Sequence, residues 1–585
     1  MKLRSAAATV VALACTLVLA GCDLGFSLGF GTGSDGHFEG AELTVPVLYV
    51  SGGKGGVTTQ RITADSADGG ELSIDITEND VSGVAPVTQS ASWTAVTAAT
   101  LLTGARPDTA YTFGFGARIN TPAAGAVTAV GVLALYYGTE VQPGVALAGG
   151  VTPFGTVSPV GGLPEQVAAA IEAGGIDTIL VPAGQRIAVD ASGASVDLDQ
   201  VAATGGMTIT EVADVASAYA IMTGEDLPEA AFPTPAASPT PLPAATEDPA
   251  DEREPLSDAF GDAVDRALLR AEDSLAAATD ETLAAQARTA VDRARTLRDG
   301  GDESAALAAA SSAADLAAAA AASEEGAAEA ADDTRAAAEK LLTGWGQSPP
   351  RTLDEADLAL DGVQAAAEAF ALAGYARSAL ADGVEAGPTA AALAASALAR
   401  AGDDADLRAA LGEGEATLAR DADLDGLGSL LRRGAIAATD AYAARAGDAP
   451  VGAEDLPAIR LAALADAREE LTALAGDDDW LALAVATASF ARSVPPLLSQ
   501  QTVRVPEGVD PTAAVRQRIA VGDEYAVRAV DTLADTGARV PLVRGALTDA
   551  TAAATAAPAP GASAVYATPF LRARVLAFAA GVERE

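Results

Sequence analysis

Histidine occurs once, at His37, cysteine twice, at Cys15 and Cys22, and lysine three times, at Lys2, Lys54 and Lys340, in a chain of 585 residues. Protein zinc centres are built mainly from His and Cys, so this scarcity excludes a conventional zinc site. Aromatic residues make up only 4% of the chain while hydrophobic residues reach 50%. The interior must therefore be built from Ala, Val and Leu, a composition suited to helices that approach closely through small side chains. Bases are scarce as well: 36 Lys and Arg stand against 80 Asp and Glu, a formal net charge of −44. A chain this acidic cannot neutralise phosphates over a broad surface, which argues against nucleic acid as a main partner. An electrostatic hold on anionic lipid is disfavoured for the same reason. The length leaves ample chain for buried cores in several domains.

Long apolar runs are also absent, with one exception. Ala6 to Ala20 is apolar, follows Lys2 and Arg4, and ends in Leu19-Ala20-Gly21-Cys22. The run is short for a membrane span, which needs about 20 apolar residues; a charged n-region followed by such an h-region reads as a signal peptide. Its end resembles the lipobox of bacterial-type lipoproteins. That resemblance implies cleavage before Cys22, thioether linkage of its sulfur to diacylglycerol, and a location in the cell envelope. The anchor would hold the chain at the outer face of the cytoplasmic membrane or elsewhere on the extracytoplasmic side. With Cys22 lipidated the mature chain has no free thiol. No later segment reads as membrane-spanning.

The organisation that follows is α+β. Residues 1–21 are the expected signal peptide and 22–38, rich in Gly, a flexible tether. Residues 39–224 mix strands and helices. Leu43–Val50 reads as a strand that Pro46 would place at a sheet edge; Val57–Ile62, Glu71–Thr77 and Ala110–Arg118 are further strands. Helices are expected over Val87–Leu102, from Pro122 to about Tyr137, over Leu163–Ala173, and at the end of the region near Gly224. Gly52-Gly-Lys-Gly-Gly56 lacks the Gly-Lys-Ser/Thr ending of a phosphate loop and reads as a hairpin turn, so no ATP-binding module is expected. Residues 225–256, with five prolines in Phe232–Pro243 alone, form an extended linker. Residues 257–585 carry a helical pattern: Phe260, Val264, Leu268, Ala271 and Leu275 make one stripe. Ala263-Val-Asp-Arg-Ala267 recurs as Ala290-Val-Asp-Arg-Ala294. Ala317–Ala322 reads as a helix with little to bury, and the surplus acids as a solvated face.

Residues 120–185 hold the pattern with chemical content. Asn120-Thr-Pro-Ala-Ala-Gly125 opens a helix; Ala148-Gly-Gly-Val151, Gly155-Thr-Val-Ser-Pro-Val-Gly-Gly-Leu163 and Thr178-Ile-Leu-Val-Pro-Ala-Gly-Gln185 follow. In order and spacing this resembles the proteolytic domain of Lon-type serine peptidases, closest to the exported, ATPase-free branch, over about Leu43 to Gly224. The resemblance implies a Ser–Lys dyad, in which a lysine of lowered pKa takes the proton of a weak hydroxyl nucleophile. The matching positions here are Ala123 for the serine and Gln166 for the lysine, with Ala148 where a supporting threonine would fall and Gly150 where an acid would fall. A methyl group cannot attack a carbonyl, and a carboxamide cannot accept a proton near neutral pH. The expectation is a degenerate peptidase domain that binds or scaffolds protein or peptide partners. Two alternatives stand beside it: an active serine endopeptidase using Thr121 or Ser158 with another base, and a structural envelope protein. No cofactor is expected. Asp421, Asp423 and Asp425, followed by Gly426, match the first half of a calcium loop, yet Arg432 occupies the place of its bidentate glutamate; weak calcium binding or a capped interhelical turn are the two readings. Trp93, Trp345 and Trp480 are scattered and read as packing anchors.

Overall fold

The computed structural model describes residues 40–228 and 254–581, apart from 68–71, 79–80, 83, 106, 412–413, 415, 421, 448–450, 501–504, 507–508 and 557–561. Cys15, Cys22, His37, the tether and most of the Pro-rich segment lie outside the described residues, as does Asp421. Strands β1 (Ala41–Ser51), β2 (Lys54–Ser66), β3 (Ser73–Glu78), β4 (Val81–Ser82), β5 (Thr109–Phe115), β6 (Val145–Leu147), β7 (Gly150–Val151), β8 (Val157–Ser158), β9 (Thr178–Pro182), β10 (Ile187–Val189), β11 (Ser195–Asp197) and β12 (Thr208–Val212) belong to the first region. So do helices α1 (Pro86–Thr103), α2 (Gly125–Tyr137), α3 (Leu163–Ala173), α4 (Leu198–Ala203) and α5 (Val215–Thr223). The main sheet has the order β12-β9-β6-β1-β2-β5-β3-β4. Its β12, β9, β6 and β1 run parallel, and β2 turns back on β1.

The β1–β2 turn is Gly52-Gly53, with both φ values positive (58° and 77°), the backbone that a two-residue hairpin of this twist requires. Alternation along the strands sends one set of side chains to each face. Leu43, Val45, Val47, Leu147 and Leu180 join the core shared with α1 and α2. Leu48, Ala146, Ile179, Val181 and Ile209 join a second core with α3 and α4. Contrary to the expectation from Pro46, β1 is an interior strand. Proline is tolerated there because β6 pairs with β1 at a single register position, Val47 with Leu147, so the ladder on that side is nearly absent.

The second region holds α6 (Glu254–Ala276), α7 (Glu281–Asp299), α8 (Glu303–Ala320), α9 (Ala327–Gly346), α10 (Leu353–Ala381), α11 (Ala386–Ala410), α12 (Leu424–Ala446), α13 (Leu456–Asp466), α14 (Arg468–Ala475), α15 (Asp479–Gln500), α16 (Thr512–Ala534), α17 (Pro541–Ala556) and α18 (Ala567–Ala579). The fold class is thus α+β, a mixed-sheet region followed by an all-helical one. The repeated pentapeptide does the same work twice. Ala263, Val264 and Ala267 of α6 and Ala290, Val291 and Ala294 of α7 face one core against α8. The arginine of each copy reaches a carboxylate elsewhere: Arg266 to Asp403 at 2.7 Å and Arg293 to Asp549 at 2.6 Å.

Two sequence readings are corrected here. The alanine run in α8 is buried, with Ala317, Ala319 and Ala320 at most 5% exposed. Its small side chains let α6, α7, α11 and α17 close on it from several sides, so it is a helix buried all round rather than one with little to bury. The acids are not only a solvated face. Glu368, in the middle of α10, is buried and bound by Arg460 (2.6 Å), Arg492 (2.8 Å) and Arg400 (3.1 Å). Arg460 and Arg400 also share Asp315, at 2.6 and 3.5 Å, and Asp315 accepts from Ser396. Burial pushes the Glu368 carboxyl up, but the combined pull of Arg460, Arg492 and Arg400 carries it well below its ordinary range. At the start of α10, Asp357 accepts the backbone N–H groups of Leu542 and Val543 at the beginning of α17.

The three tryptophans read as packing anchors lie in the interior: Trp93, Trp345 and Trp480 are at most 9% exposed. The regions share one continuous core. Helix α1 has 15 of its 18 residues buried because α2 and the sheet cover one side and α12 and α18 the other. Phe154 meets Phe570 edge to face at 6.3 Å, Arg518 donates to the Ala183 carbonyl at 2.9 Å, and Arg574 donates to the Leu101 carbonyl.

Removing the anion from the arginine knot leaves buried cations uncompensated, so Glu368→Gln is expected to cost about 3–5 kcal/mol, read as a lowered urea midpoint. Asp357 carries the opposite pH signature. Burial raises it to about 7, against the N–H of Leu542 and the charge of Arg572, with Asp361 and Asp354 adding to the rise. Its contribution to stability is therefore full below the ordinary carboxylate pKa and is lost as pH rises through about 7. Urea midpoints at pH 5 and pH 8 should show that Asp357→Asn flattens this decline.

Candidate functional site

The chain enters the site from β5. Thr121 is extended, and its hydroxyl accepts the Ala123 N–H at 3.1 Å, capping a single 3-10 turn, Pro122–Ala124, that runs directly into α2. Ala123 is buried, and its carbonyl accepts from Gly149, whose own carbonyl accepts from Ala126. The turn is thereby fixed against the strand end at Ala148-Gly149. Ala148 is fully buried and Gly150 lies in β7, paired with Ser158 of β8. Ser158 is buried as well.

Helix α3 supplies the second half. Gly162 holds the left-handed conformation (φ 74°) before it, and Pro164 sits in its first turn. Gln166 is fully buried, and its Nε2 donates to the Gly161 carbonyl at 3.1 Å, while Oε1 has no protein partner. Ala123 shares one apolar cluster with Leu163 and Val167, which flank Gln166 in sequence. Ala123 and Gln166, the positions that the resemblance assigns to a dyad, thus border one apolar cluster, with a methyl group at one and an amide bound to its own helix entrance at the other.

A cavity of about 460 Å³ opens beside them. Thr121 and Pro122 line it on one side, Pro159 to Gly161 on another, and the turn Asp190–Gly193 covers it. Much of its main chain is already engaged. Gln185 uses its carboxamide to clamp Val160, Oε1 accepting from the Val160 N–H (2.9 Å) and Nε2 donating to its carbonyl (2.8 Å). The Ala191 N–H donates to Glu165 at 2.7 Å. Asp190 Oδ1 accepts from the Ser192 N–H, the Ser192 hydroxyl and the Ala194 N–H. The Ser192 hydroxyl, the Ala194 N–H and the other N–H groups of the turn hold the Asp190 carboxyl below its ordinary range. A carboxylate stabilised in this way is a poor proton acceptor.

Lys54 is nearer in space than in sequence. The hairpin lays Gly55 so tightly on α3 that a Cβ there would sit 1.8 Å from the Glu165 carbonyl. Successive residues of a strand point to opposite faces, so the neighbouring Lys54 side chain leaves on the other side and is exposed. Thr121 and Ser158 thus sit at the site, but among the described residues no lysine or histidine is placed with them.

Of the calcium-loop residues, Asp423 is the N-cap of α12, its Oδ1 accepting from the Gly426 N–H at 2.9 Å. Asp425 lies in the first turn, and Arg432 is already inside the helix. Sequence reasoning missed Gln185, the Asp190 turn and Arg445 of α12, which also lines the cavity. Asp-Ala-Ser-Gly is a recognisable Asx-turn signature; nothing local in the sequence connects Arg445 with a site some 320 residues earlier.

A family model described as the Lon protease (S16) C-terminal proteolytic domain matches residues 116–216. The matched segment is 101 of the 585 residues, from the end of β5 into α5, and includes Ala123 and Gln166. No curated protein matches the chain. This segment therefore carries the fold of an S16 proteolytic domain.

Losing the Gln185 clamp would leave two buried backbone groups of Val160 unpaired. Gln185→Ala is expected to destabilise the chain by about 2–4 kcal/mol, with faster hydrogen exchange at Val160 as the local readout.

Proposed function

We propose that the protein is an envelope lipoprotein, anchored through Cys22, whose Lon-like region is an inactive peptidase that binds peptide or protein segments. The carrying observation is the pair Ala123 and Gln166: the site lacks an attacking oxygen at one position and an activating amine at the other, and the amide is tied to the Gly161 carbonyl. An open cavity beside these positions supports retained binding. Thr121 is a poor substitute nucleophile, because its oxygen accepts the Ala123 N–H and the carboxylate that lines the same cavity, Asp190, is held below its ordinary range.

Lysine at position 166 would enter a fully buried site, where loss of hydration lowers its pKa toward that of a general base. Ala123→Ser combined with Gln166→Lys is accordingly expected to gain labelling by a serine-directed fluorophosphonate and hydrolysis of unfolded casein, while the unmodified chain shows neither. Casein cleavage by the unmodified chain that disappears in Thr121→Ala or Ser158→Ala would establish the active-peptidase reading instead. For the anchor, metabolic labelling with a fatty acid should be lost in Cys22→Ala.

A further inference from the structure

The cavity wall that carries Val160 is held by Gln185, and Gln185 is held in turn from the helical region. The residue closes a tight turn, its N–H donating to the Pro182 carbonyl at 3.1 Å. The members of that turn are fixed one by one. The Ala183 N–H donates to the Val212 carbonyl at 2.9 Å, and the Ala183 carbonyl accepts from the Arg518 guanidinium of α16 at 2.9 Å. The Gly184 N–H donates to Glu211 at 2.7 Å. Helix α16 lies so close to Gly184 (φ 83°) that a Cβ there would sit 2.1 Å from the Cβ of Ala514.

Arg518 is unusual in a chain with 80 acids and 36 bases. It is half-buried, and among the described residues it makes no ion pair. Burial with no carboxylate to offset it lowers the guanidinium from its ordinary value. An arginine kept for charge would stand beside an acid; this one gives its hydrogen bond to a main-chain carbonyl. Its contribution is to fix where the Ala183 carbonyl sits, two residues before Gln185. The position of Gln185 matters because its carboxamide must meet both the N–H and the carbonyl of Val160, at 2.9 and 2.8 Å. Two hydrogen bonds from one planar group tolerate little displacement of the backbone that carries it.

We propose that Arg518 is a positioning residue of the cleft: α16 of the helical region sets the Pro182–Gln185 turn and, through the Gln185 clamp, the Val160 wall. The inference rests on the binding reading above for what that wall does, and adds to it control of the site by the second region. Hydrogen exchange of the full chain tests it, read at the Val160 amide that the clamp protects and at α7 as a distant reference. Arg518→Met keeps the apolar stem and removes the donor. It is expected to speed Val160 exchange at least about tenfold, the effect of losing a charge-assisted hydrogen bond, with α7 unchanged. Arg518→Lys, which retains a donor for the carbonyl, should restore part of the protection. Ala514→Leu, a wedge at the half-buried position facing Gly184, should repeat the effect with Arg518 intact. Unchanged Val160 exchange in Arg518→Met and Ala514→Leu, or equal acceleration at Val160 and α7, would overturn the assignment. Binding is followed separately, as the anisotropy of a pool of fluorescein-labelled random octapeptides, which Arg518→Met should weaken and Arg518→Lys partly recover. Octapeptide binding that Arg518→Met leaves unchanged would overturn control of the site. No binding by the unmodified chain, with the exchange response present, would overturn the peptide-binding reading and leave the positioning of Val160 standing.

Discussion

The enclosure of α1 is the constraint on which the molecule is organised. A helix with Thr, Ser and Ala on most faces has no wide apolar stripe and cannot be stable at a surface on propensity alone. It is held because the sheet and α2 cover it from one side and α12 and α18 from the other. Thr97 donates to the Trp93 carbonyl and Thr103 to the Ala99 carbonyl within the helix, and Thr88 to the Ile119 carbonyl beside it. The small side chains that make the helix unremarkable in sequence let its neighbours approach closely. The second region is consequently part of the first region's core, and the cleft takes its shape from both.

At the site, a segment with the fold of an S16 proteolytic domain turns several polar side chains onto its own main chain. Gln185 and Gln166 both spend their amides on the segment Val160-Gly161. The Thr121 oxygen caps the turn that holds Ala123. Each of these bonds stabilises the loop geometry of the cleft. The arginine knot around Glu368 does related work in the helical region, where it satisfies buried charge among helices too poor in large side chains to lock by shape alone.

What the sequence made legible was mostly local. Gly52-Gly53 between alternating strands specifies the hairpin, the stripe from Phe260 to Leu275 specifies the buried face of α6, and the recurring Ala-Val-Asp-Arg-Ala specifies two helices with equivalent roles. The matched segment was legible because the glycines and prolines around Ala123 and Gln166 keep the order and spacing of the family's loops. The failures are long-range. Pro46 indicates an edge by its missing donor, but whether a neighbouring strand needs that donor depends on the length of β6, set a hundred residues later. Poly-alanine carries no amphipathic signal, so its burial depends on which helices surround it. Asp315, Glu368 and Asp357 look like surface acids until Arg460, Arg492 and the start of α17 are brought to them.

The seating of Ala438 and Ala441 on Val87 has an evolutionary reading as well. Genes often recombine at proline-rich connectors, because the pieces on either side are usually self-sufficient. Here an exchange at the connector would separate α1 from its cover and strip one wall from the cleft. The two halves are heritable only as a pair, and a change on one side of their seam invites a compensating change on the other.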